Sequence, residues 1–385
     1  MLISPVVAAA LFAAPPQIDV YTMGTGDALF HRFGHAAICA TDPDQPKRAV
    51  CFNYGTTDFG SPPRELGWAF VRGDAPFWVS KWPLDRMLAV YVTEDRSVWR
   101  QRLELTPAQA EAILTKLEAD AATYDGEGPE GSYDYHHFQD NCTTRIRDLL
   151  DEATEGALSE GSDTSTGQSY REYGEAGLAD MPLIPAAGQL LVGRAADEDV
   201  DAWQAMFLPR YLRAELEQRL AAPPEVIHTR QGPPPVPEGQ GGSRLPYLLA
   251  LVALTSLPAL IGLAWARASR VWFAIAGVLL GLLGLALWAL ALVSHMPELR
   301  YNEALLLFWP TDLGLGLMRA EHRRTYARVR VAVITLCGLG LAVGLLRQPL
   351  ALIGLAALIP MAAMAWAERA TKSEDAPSAT DEGAP

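Results

Sequence analysis

Cys142 is the residue of this sequence best suited to covalent chemistry. It follows Gln139, Asp140 and Asn141 and begins a predicted helix over residues 142–153, with Asn141 or Asp140 as the expected N-cap. Unpaired backbone amides and the helix dipole at such an end favour an anion, and the thiolate is the nucleophilic form of cysteine. Inert cysteines usually have apolar neighbours, whereas this one lies among polar residues, so we expect a nucleophile.

Two further cysteines support this assignment. Cys39 and Cys51 lie on two predicted strands, residues 27–41 and 49–55, which are joined by a turn rich in Asp and Pro. A disulfide across such a hairpin is geometrically reasonable in an oxidising compartment. Cys142 would then remain a free thiol.

A thiolate nucleophile usually needs a general base or an ion-pair partner, and His35 is the candidate we favour. In the expected hairpin register, His35 opposes Gly55 and points to the same face as Asn53. Asn53 is therefore the residue expected to orient the imidazole, with Tyr54 and Asp58 as competitors for that role.

Other histidines lie near these residues. His136 and His137 precede Cys142 closely in the sequence and are expected to line the cleft rather than to act as the base. A zinc site built from His31, His35 and Cys142 is disfavoured, because the sequence has neither paired cysteine spacing nor an HExxH motif. No GxSxG serine motif is present either. We expect no metal and no other cofactor.

Around Cys142, four residues are expected to contact the substrate. The side chains of Gln139 and Asn141 are placed to help the helix amides stabilise an oxyanion. Arg145, one turn into the helix, adds positive charge unless it pairs with an acidic neighbour, and Tyr54 lies on the second hairpin strand.

Composition divides the chain into a soluble half and a membrane half. Charged residues crowd residues 42–245, whereas residues 246–367 are almost continuously apolar. The 385 residues and this asymmetry predict two structural units. A formal net charge of -14 argues against nucleic-acid binding, which needs a basic surface.

The apolar half contains four segments long enough to cross a bilayer and one weaker candidate. The four are residues 246–266, 271–293, 329–346 and 349–367, and the weaker one is 303–318, which contains Pro310 and Asp312. The arginines that follow the first span and those that precede residue 329 both favour the cytoplasm. Both clusters lie there only if residues 303–318 also cross, which predicts about five spans and an external soluble half.

These patterns give the predicted domain boundaries and elements. The soluble half is read as strands at 66–80 and 84–93, a helix at 106–122, a polar loop at 154–169 and an amphipathic helix at 198–220 that is broken by Pro209. The predicted domains are a signal peptide or anchor (1–14), a soluble enzyme domain (15–221), a Pro/Gly-rich linker (222–245), a transmembrane domain (246–367) and a disordered cytoplasmic tail (368–385).

Four runs of the soluble half, FGHAAI, FNYGTTDF, YVTEDRSVWRQRLELTPAQ and YDYHHFQDNCTTRIRDLL, resemble the N-terminal periplasmic domain of Lnb-type lipoprotein intramolecular transacylases. The later run HMPELRYNEALLLFWPTDL looks like the family's motif between membrane helices, and it contains His295, Asn302 and Asp312. These three residues are expected either to join the reaction or to make interhelical hydrogen bonds.

The resemblance implies an α+β fold, a permuted NlpC-type papain-like antiparallel sheet with a catalytic helix, followed by the transmembrane helices. It places the nucleophile at Cys142 and the base at His35. The implied activity moves an acyl chain from the diacylglyceryl cysteine of a lipoprotein to that cysteine's amine through a thioester, at the inner membrane. The implied partners are bacterial lipoproteins and membrane lipid.

Two other functions are compatible with the same residues. A periplasmic cysteine peptidase or a cell-wall amidase of the NlpC type would use the same Cys–His pair on a different substrate. A lipid-binding module without catalysis is expected if Cys142 and His35 lie too far apart to interact.

Overall fold

The computed structural model describes residues 14–58, 63–236 and 240–374. The chain divides into two compact units, Met1–Ala179 with Glu198–Gln240 and Asp180–Asp197 with Gly241–Pro385. The predicted signal segment lies outside the described residues except for Ala14, as do residues 375–385 of the predicted tail.

The first unit is built on an antiparallel sheet of seven strands in the order β6-β4-β3-β2-β1-β5-β9, and a separate pair is formed by β7 and β8. The strands are β1 (Gln17–Met23), β2 (His35–Thr41), β3 (Val50–Thr56), β4 (Pro76–Pro83), β5 (Val98–Arg102), β6 (Tyr133–Asp134), β7 (Ser165–Ser169), β8 (Asp199–Asp201) and β9 (Glu225–His228).

Thirteen α-helices occur within the described residues. They are α1 (Pro63–Arg72), α2 (Leu84–Thr93), α3 (Pro107–Thr123), α4 (Cys142–Ala153), α5 (Tyr170–Gly177), α6 (Leu183–Leu191), α7 (Ala202–Ala205), α8 (Pro209–Arg219), α9 (Leu245–Ala264), α10 (Ser269–Val293), α11 (Pro297–Arg300), α12 (Ala320–Ala342) and α13 (Ala351–Glu374). α13 thus continues into the predicted tail.

The central strands β2 and β3 are buried on both faces. On one face, Ile38 and Phe52 pack with Ile146 of α4 and with α3. On the other face, Cys39 and Cys51, which adjoin Ile38 and Phe52 along their strands, pack with Met87 of α2. The alternation of side chains along a strand therefore decides which helix each residue of β2 and β3 meets.

The predicted hairpin and its disulfide are present. Cys39 pairs with Cys51 in the β2–β3 ladder, and the two sulfurs are bonded. The helix predicted at 142–153 is also confirmed, since α4 begins at Cys142. Asn141 caps it by accepting hydrogen bonds from the backbone of Thr143 and Thr144, at 2.8 and 2.9 Å. α3 begins one residue after its predicted start, with Thr106 as its cap.

One strand prediction is wrong and another is right only in part. Residues 84–93 form α2, whereas residues 66–72 lie in α1 and residues 76–80 form the first part of β4. The β-branched and aromatic residues of the run LDRMLAVYVT favour a strand. However, Leu84, Met87, Leu88 and Tyr91 share one helical face, and this face packs on the sheet beside the disulfide. Tertiary packing therefore overrides local propensity here.

Later segments also differ from the sequence prediction. The helix predicted at 198–220 is divided into β8, α7 and α8, and Pro209 begins α8 rather than breaking it. The loop predicted at 154–169 ends in β7. Residues 225–228, at the start of the predicted linker, form β9 at the sheet edge. Residues 180–197 group with the second unit.

The second unit contains three helices long and apolar enough to cross a membrane within the described residues. They span Leu245–Ala264, Ala266–Val293 and Ala320–Ala342, and a shorter apolar helix covers Ala351–Ala367. The weak candidate at 303–318 is no continuous α-helix. It forms two short 3₁₀ helices, Glu303–Leu306 and Pro310–Gly316.

The second 3₁₀ helix packs directly on a stripe of small residues along α10. A Cβ atom on Gly281 would lie 2.5 Å from the backbone nitrogen of Leu313, and one on Gly284 would lie 2.7 Å from the carbonyl carbon of Trp309. Any side chain at these positions would force the two backbones apart. Glycine at one-turn intervals is therefore required for this close packing.

A buried ion pair satisfies the irregular backbone of this segment. Asp312 and Arg330 have no exposed surface, and Arg330 donates from Nη2 to Asp312 Oδ2 at 3.1 Å and to the Leu307 carbonyl at 2.5 Å. Tyr326 donates its hydroxyl proton to Asp312 Oδ1 at 2.6 Å. Non-helical backbone in an apolar environment needs such partners.

The other two polar residues of the motif between the membrane helices differ in their surroundings. Asn302 donates to the carbonyls of Leu190 and Leu191, at 2.8 and 3.0 Å, and thereby fixes the end of α6 within the second unit. His295 is exposed. Asn302 and Asp312 thus have hydrogen-bonding roles within the second unit.

Candidate active site

His35 is placed by a sharp turn at the start of β2. Gly34 has a φ of 83°, and a Cβ atom there would lie 2.6 Å from the Met23 carbonyl. Only glycine fits this conformation and this close approach without strain. His35 then pairs with Met23 in the β1–β2 ladder, at the end of the sheet.

One nitrogen of the His35 ring is held by the neighbouring strand. His35 Nε2 lies 3.3 Å from Oδ1 of Asn53, a buried residue of β3. Asn53 lies two residues after Cys51, so the disulfide ties together the two strands that carry His35 and Asn53. The remaining ring nitrogen, Nδ1, is the one left to face the thiol.

Cys142 lies at the start of α4, which packs on β2 and β3. Its side chain is 8% exposed, and its sulfur is within hydrogen-bonding reach of the His35 ring and of the Ala36 backbone N–H. Thr143 Oγ1 lies 3.6 Å from the sulfur. The thiol is therefore surrounded by hydrogen-bonding groups although it is buried.

These neighbours make Cys142 more acidic than an ordinary thiol. Burial by itself raises the pKa of Cys142, because it disfavours the charged form. The charge of His35, its hydrogen bond and the Ala36 amide act in the opposite direction and outweigh burial. The net effect lowers the pKa of Cys142 to about 7. A large fraction of the thiol is then ionised at neutral pH, as a nucleophile requires.

A tyrosine hydroxyl faces the backbone amide of Cys142. The Tyr135 hydroxyl lies near the backbone N–H of Cys142, and burial keeps Tyr135 protonated by raising its pKa well above the usual value. Gly55 leaves room for the Tyr135 ring at this position, because a Cβ atom on Gly55 would lie 3.1 Å from the ring. Gly55 also has a φ of 78°, which favours glycine. An amide and a phenol thus converge next to the sulfur.

Aromatic rings form a continuous wall from this point to the surface. The Tyr135 ring stacks on Phe77 at 4.2 Å, Phe77 contacts Phe70 at 5.9 Å, and Phe70 contacts Phe30 at 5.5 Å, all between ring centroids. His137 lies over Phe70 at 4.6 Å. Phe30 is 47% exposed, so the wall opens to the outside of this unit.

The residues expected to bind substrate lie close to Cys142 but differ in what they can do. The amide of Asn141 is used in capping α4 and in donating to the carbonyls of His137 and Phe207. Arg145 pairs with Asp140 at 2.8 Å and lies over an aromatic ring of β6. Both residues therefore shape the start of α4.

Tyr54 and Gln139, the other two residues expected to bind substrate, lie in different surroundings. Tyr54 is buried on the face of β3 opposite Asn53 and donates its hydroxyl proton to Asp120 at 2.8 Å. Gln139 is exposed in the turn before α4. This turn is closed by His136, whose Nδ1 accepts hydrogen bonds from the backbone of Phe138 and Gln139.

Comparison with known protein families identifies a match in the N-terminal part of the chain. Residues 14–173 match the family model described as Lnb N-terminal periplasmic domain. These residues are thus similar to an Lnb-type periplasmic domain, and they are called the Lnb-type domain below. The matched segment includes His35, Asn53 and Cys142. None of the curated proteins and none of the solved structures compared with the chain matches it.

The chain thus combines an N-terminal part similar to the Lnb periplasmic domain with three helices, among the described residues, that are long and apolar enough to cross a bilayer. Within the Lnb-type domain, Tyr135 is a neighbour of the thiol that the sequence does not predict. The alternation of Tyr133 and Tyr135 before the cysteine is a weak signal, because the sequence does not reveal that Gly55 leaves space for the ring.

Proposed function

We propose that the Lnb-type domain is a thiol acyltransferase in which Cys142 is the nucleophile, His35 the base and Asn53 the residue that orients the base. The observation that carries this proposal is the Cys142 thiol at the start of α4, with its pKa lowered to about 7 by an imidazole that Asn53 holds. An inert buried thiol would have its pKa raised.

The fold of the first unit supports a papain-like arrangement with permuted chain order. A helix that begins with the nucleophilic cysteine packs on antiparallel strands that carry the histidine and its amide partner. Here the strands β2 and β3 precede α4 in the chain. The same spatial arrangement of thiol, imidazole and amide can serve the same roles in either order.

In the first half-reaction, the Cys142 thiolate attacks the carbonyl carbon of an acyl ester. The developing oxyanion receives hydrogen bonds from the Cys142 N–H and from the Tyr135 hydroxyl, which rotates its proton towards it. The C–O bond breaks, His35 gives its proton to the leaving alkoxide, and an alcohol and an S-acyl thioester result.

In the second half-reaction, an amine attacks the thioester carbonyl and His35 accepts the proton that the amine loses. The C–S bond breaks, the amide forms and the thiolate is regenerated. Water would compete with the amine at this step. Burial of the sulfur and the aromatic surroundings of Tyr135 restrict the access of water and favour transfer over hydrolysis.

The aromatic wall favours an acyl chain over a peptide as the group bound next to the thiol. Rings from Phe30 to Tyr135 offer apolar contact and few hydrogen-bond partners for a peptide backbone. The exposed Leu29 and Phe30 at the open end suit a hydrocarbon chain. Together with the Lnb-type match, they support a lipoprotein diacylglyceryl cysteine as donor and its amine as acceptor.

The second unit supports a multi-pass anchor with five crossings, four helical and one irregular. The Trp288 indole donates to the Phe308 carbonyl at 3.2 Å, and Arg270 Nε donates to the Gly316 carbonyl at 3.3 Å. Gly316 packs on Ala274 and Trp309 packs on Gly284, so residues 309–316 run antiparallel to α10 over about 15 Å at 1.5 Å per residue. This is about half of the apolar thickness of a bilayer, about 30 Å, and residues 303–308 supply the rest of the proposed crossing.

This path brings both arginine clusters to the same end of the second unit. Arg267 and Arg270 lie at the start of α10, and Arg319 follows the irregular crossing. Positively charged loops favour the cytoplasmic side. Since the Lnb-type domain is periplasmic, we assign the whole protein to the inner membrane.

The direct test is mass spectrometry of lipoproteins from cells that make this protein in place of their own N-acylating activity. We expect an N-acylated lipoprotein with one ester-linked acyl chain fewer than its diacylglyceryl precursor. Cys142→Ala should abolish this product, and the matched variant Cys337→Ala, which changes the other free cysteine of the described residues, should retain it. Equal product from the parent and Cys142→Ala would refute the proposal.

A further inference from the structure

The His35 ring has a second support besides Asn53. The ring of Tyr91, from the last turn of α2, stacks against it with 6.1 Å between centroids and 22° between planes. The guanidinium of Arg96 lies 4.9 Å from the centre of the Tyr91 ring. Ring stacking and cation–π contact both depend on orientation, so they restrict how the imidazole can turn.

Arg96 is itself firmly held. It is 3% exposed, donates from Nε to the Gly24 carbonyl at 3.0 Å, and pairs through Nη1 with Glu94 at 3.3 Å. Its backbone N–H donates to the Tyr91 carbonyl at 2.9 Å, just beyond the C-terminus of α2. A positive charge is favourable at that end of a helix.

Tyr91 lies near the thiol as well as near the imidazole. Burial raises the pKa of Tyr91, and the charge of Cys142 raises it further although Arg96 opposes this. Tyr91 therefore remains a neutral phenol. The charged and titratable groups that face His35 are Cys142, Arg96 and the pair formed by Glu94 and His31, whose closest atoms are 3.7 Å apart.

We propose that Tyr91 and Arg96 are positioning residues that hold the His35 imidazole against Cys142. Without the Tyr91 ring, the single contact with Asn53 at 3.3 Å would leave the imidazole free to rotate about that hydrogen bond. The thiolate would lose its nearest positive charge and burial would dominate its ionisation. The effect on turnover rests on the proposed function, whereas the effect on the thiol does not.

The test measures the rate of iodoacetamide labelling of Cys142 against pH, in the full-length detergent-solubilised protein with Cys337→Ala. We expect a midpoint near pH 7 for this parent and for Tyr91→Phe, which keeps the ring. Tyr91→Leu should raise the midpoint by one pH unit or more, so that labelling at pH 6 becomes about tenfold slower. Arg96→Met should shift it in the same direction by less.

Acyl transfer should fall about 100-fold in Tyr91→Leu, as expected when a catalytic group is misplaced by about 1 Å, and much less in Tyr91→Phe. The matched control is Val92→Ala, which changes an exposed side chain of the same helix and should alter neither measurement. Circular dichroism identifies variants that do not fold.

A folded Tyr91→Leu protein with the parent midpoint would overturn the proposal. If Tyr91→Leu does not fold, Arg96→Met provides the test. A folded Arg96→Met protein with the parent midpoint would also overturn the proposal. His35→Ala separates the two proposals. An unchanged midpoint in that variant contradicts the proposed Cys–His pair itself, whereas a shift in His35→Ala without one in Tyr91→Leu contradicts only the positioning role.

Discussion

At the scale of single residues, the chemistry depends on two opposing effects on one sulfur. Burial disfavours the Cys142 thiolate, and the contact with His35 favours it enough to bring the pKa down to about 7. The thiolate fraction therefore rises with pH, with its midpoint near 7. Neither residue alone gives this behaviour, because α4 supplies the thiol and β2 supplies the imidazole.

Replacing His35 with Ala should therefore move the labelling midpoint of Cys142 from about pH 7 to above pH 9. Burial would still raise the pKa of the thiol, and the imidazole would no longer lower it. Stopped-flow or mass-spectrometric alkylation from pH 5 to 10 measures this midpoint. His228→Ala, on the edge strand β9, is the matched control and should leave it unchanged. A midpoint near 7 in His35→Ala would contradict the proposed ion pair.

At the scale of elements, local signals predicted some parts of the site correctly. The Asp- and Pro-rich turn and the two cysteines predicted the β2–β3 hairpin, and Asn141 predicted the start of α4. These elements carry His35, Asn53 and Cys142, so the proposed site could be inferred from sequence spacing. Each of these signals lies within a few residues of the feature it specifies.

Other elements could not be predicted because they depend on distant partners. α2 has a strand-like composition and becomes a helix because its apolar face packs on the sheet near Cys51. β9 lies in a stretch predicted as linker and is defined only by its pairing with β5, more than 100 residues earlier. The stacking of Tyr91 on His35 requires α2 to be a helix. It could not be predicted either, because the helix depends on packing against a distant part of the chain.

The irregular segment at residues 303–318 of the second unit is held by a buried ion pair. Asp312→Asn should destabilise the protein by about 3 kcal/mol, because it leaves the Arg330 charge buried without its partner. Arg330→Met should cost more, since it also removes the hydrogen-bond donor to the Leu307 carbonyl. Thermal unfolding in detergent, followed by tryptophan fluorescence, measures both.

The double variant Asp312→Asn with Arg330→Met should cost less than the sum of the two single variants, because it no longer buries an unpaired charge. Arg328→Met, an exposed arginine on the same helix, is the matched control and should change the unfolding temperature little. Strict additivity in the double variant would contradict the assigned role of the pair.

At the scale of the whole molecule, the five proposed crossings determine which loops share a side of the membrane. In a Cys142→Ala, Cys337→Ala background, Ser243→Cys and Val343→Cys should react with a membrane-impermeant maleimide in spheroplasts. Ala268→Cys and Ala320→Cys should react only after permeabilisation, because both lie beside the arginine clusters.

The decisive comparison is between Ala268→Cys and Ala320→Cys. If residues 303–318 cross, these two positions lie on the same side and label together. If Ala320→Cys labels in intact spheroplasts while Ala268→Cys does not, the irregular segment returns to the side from which it started and the count of five is wrong.

The bond between Cys39 and Cys51 links the proposed catalysis to cellular location. Such a bond forms where thiols are oxidised, which in bacteria means after export. A chain still in the reducing cytosol would lack the disulfide between β2 and β3, the strands that carry His35 and Asn53. Under the proposed function, the protein would thus gain its most rigid catalytic framework only after export, which limits premature attack on esters inside the cell.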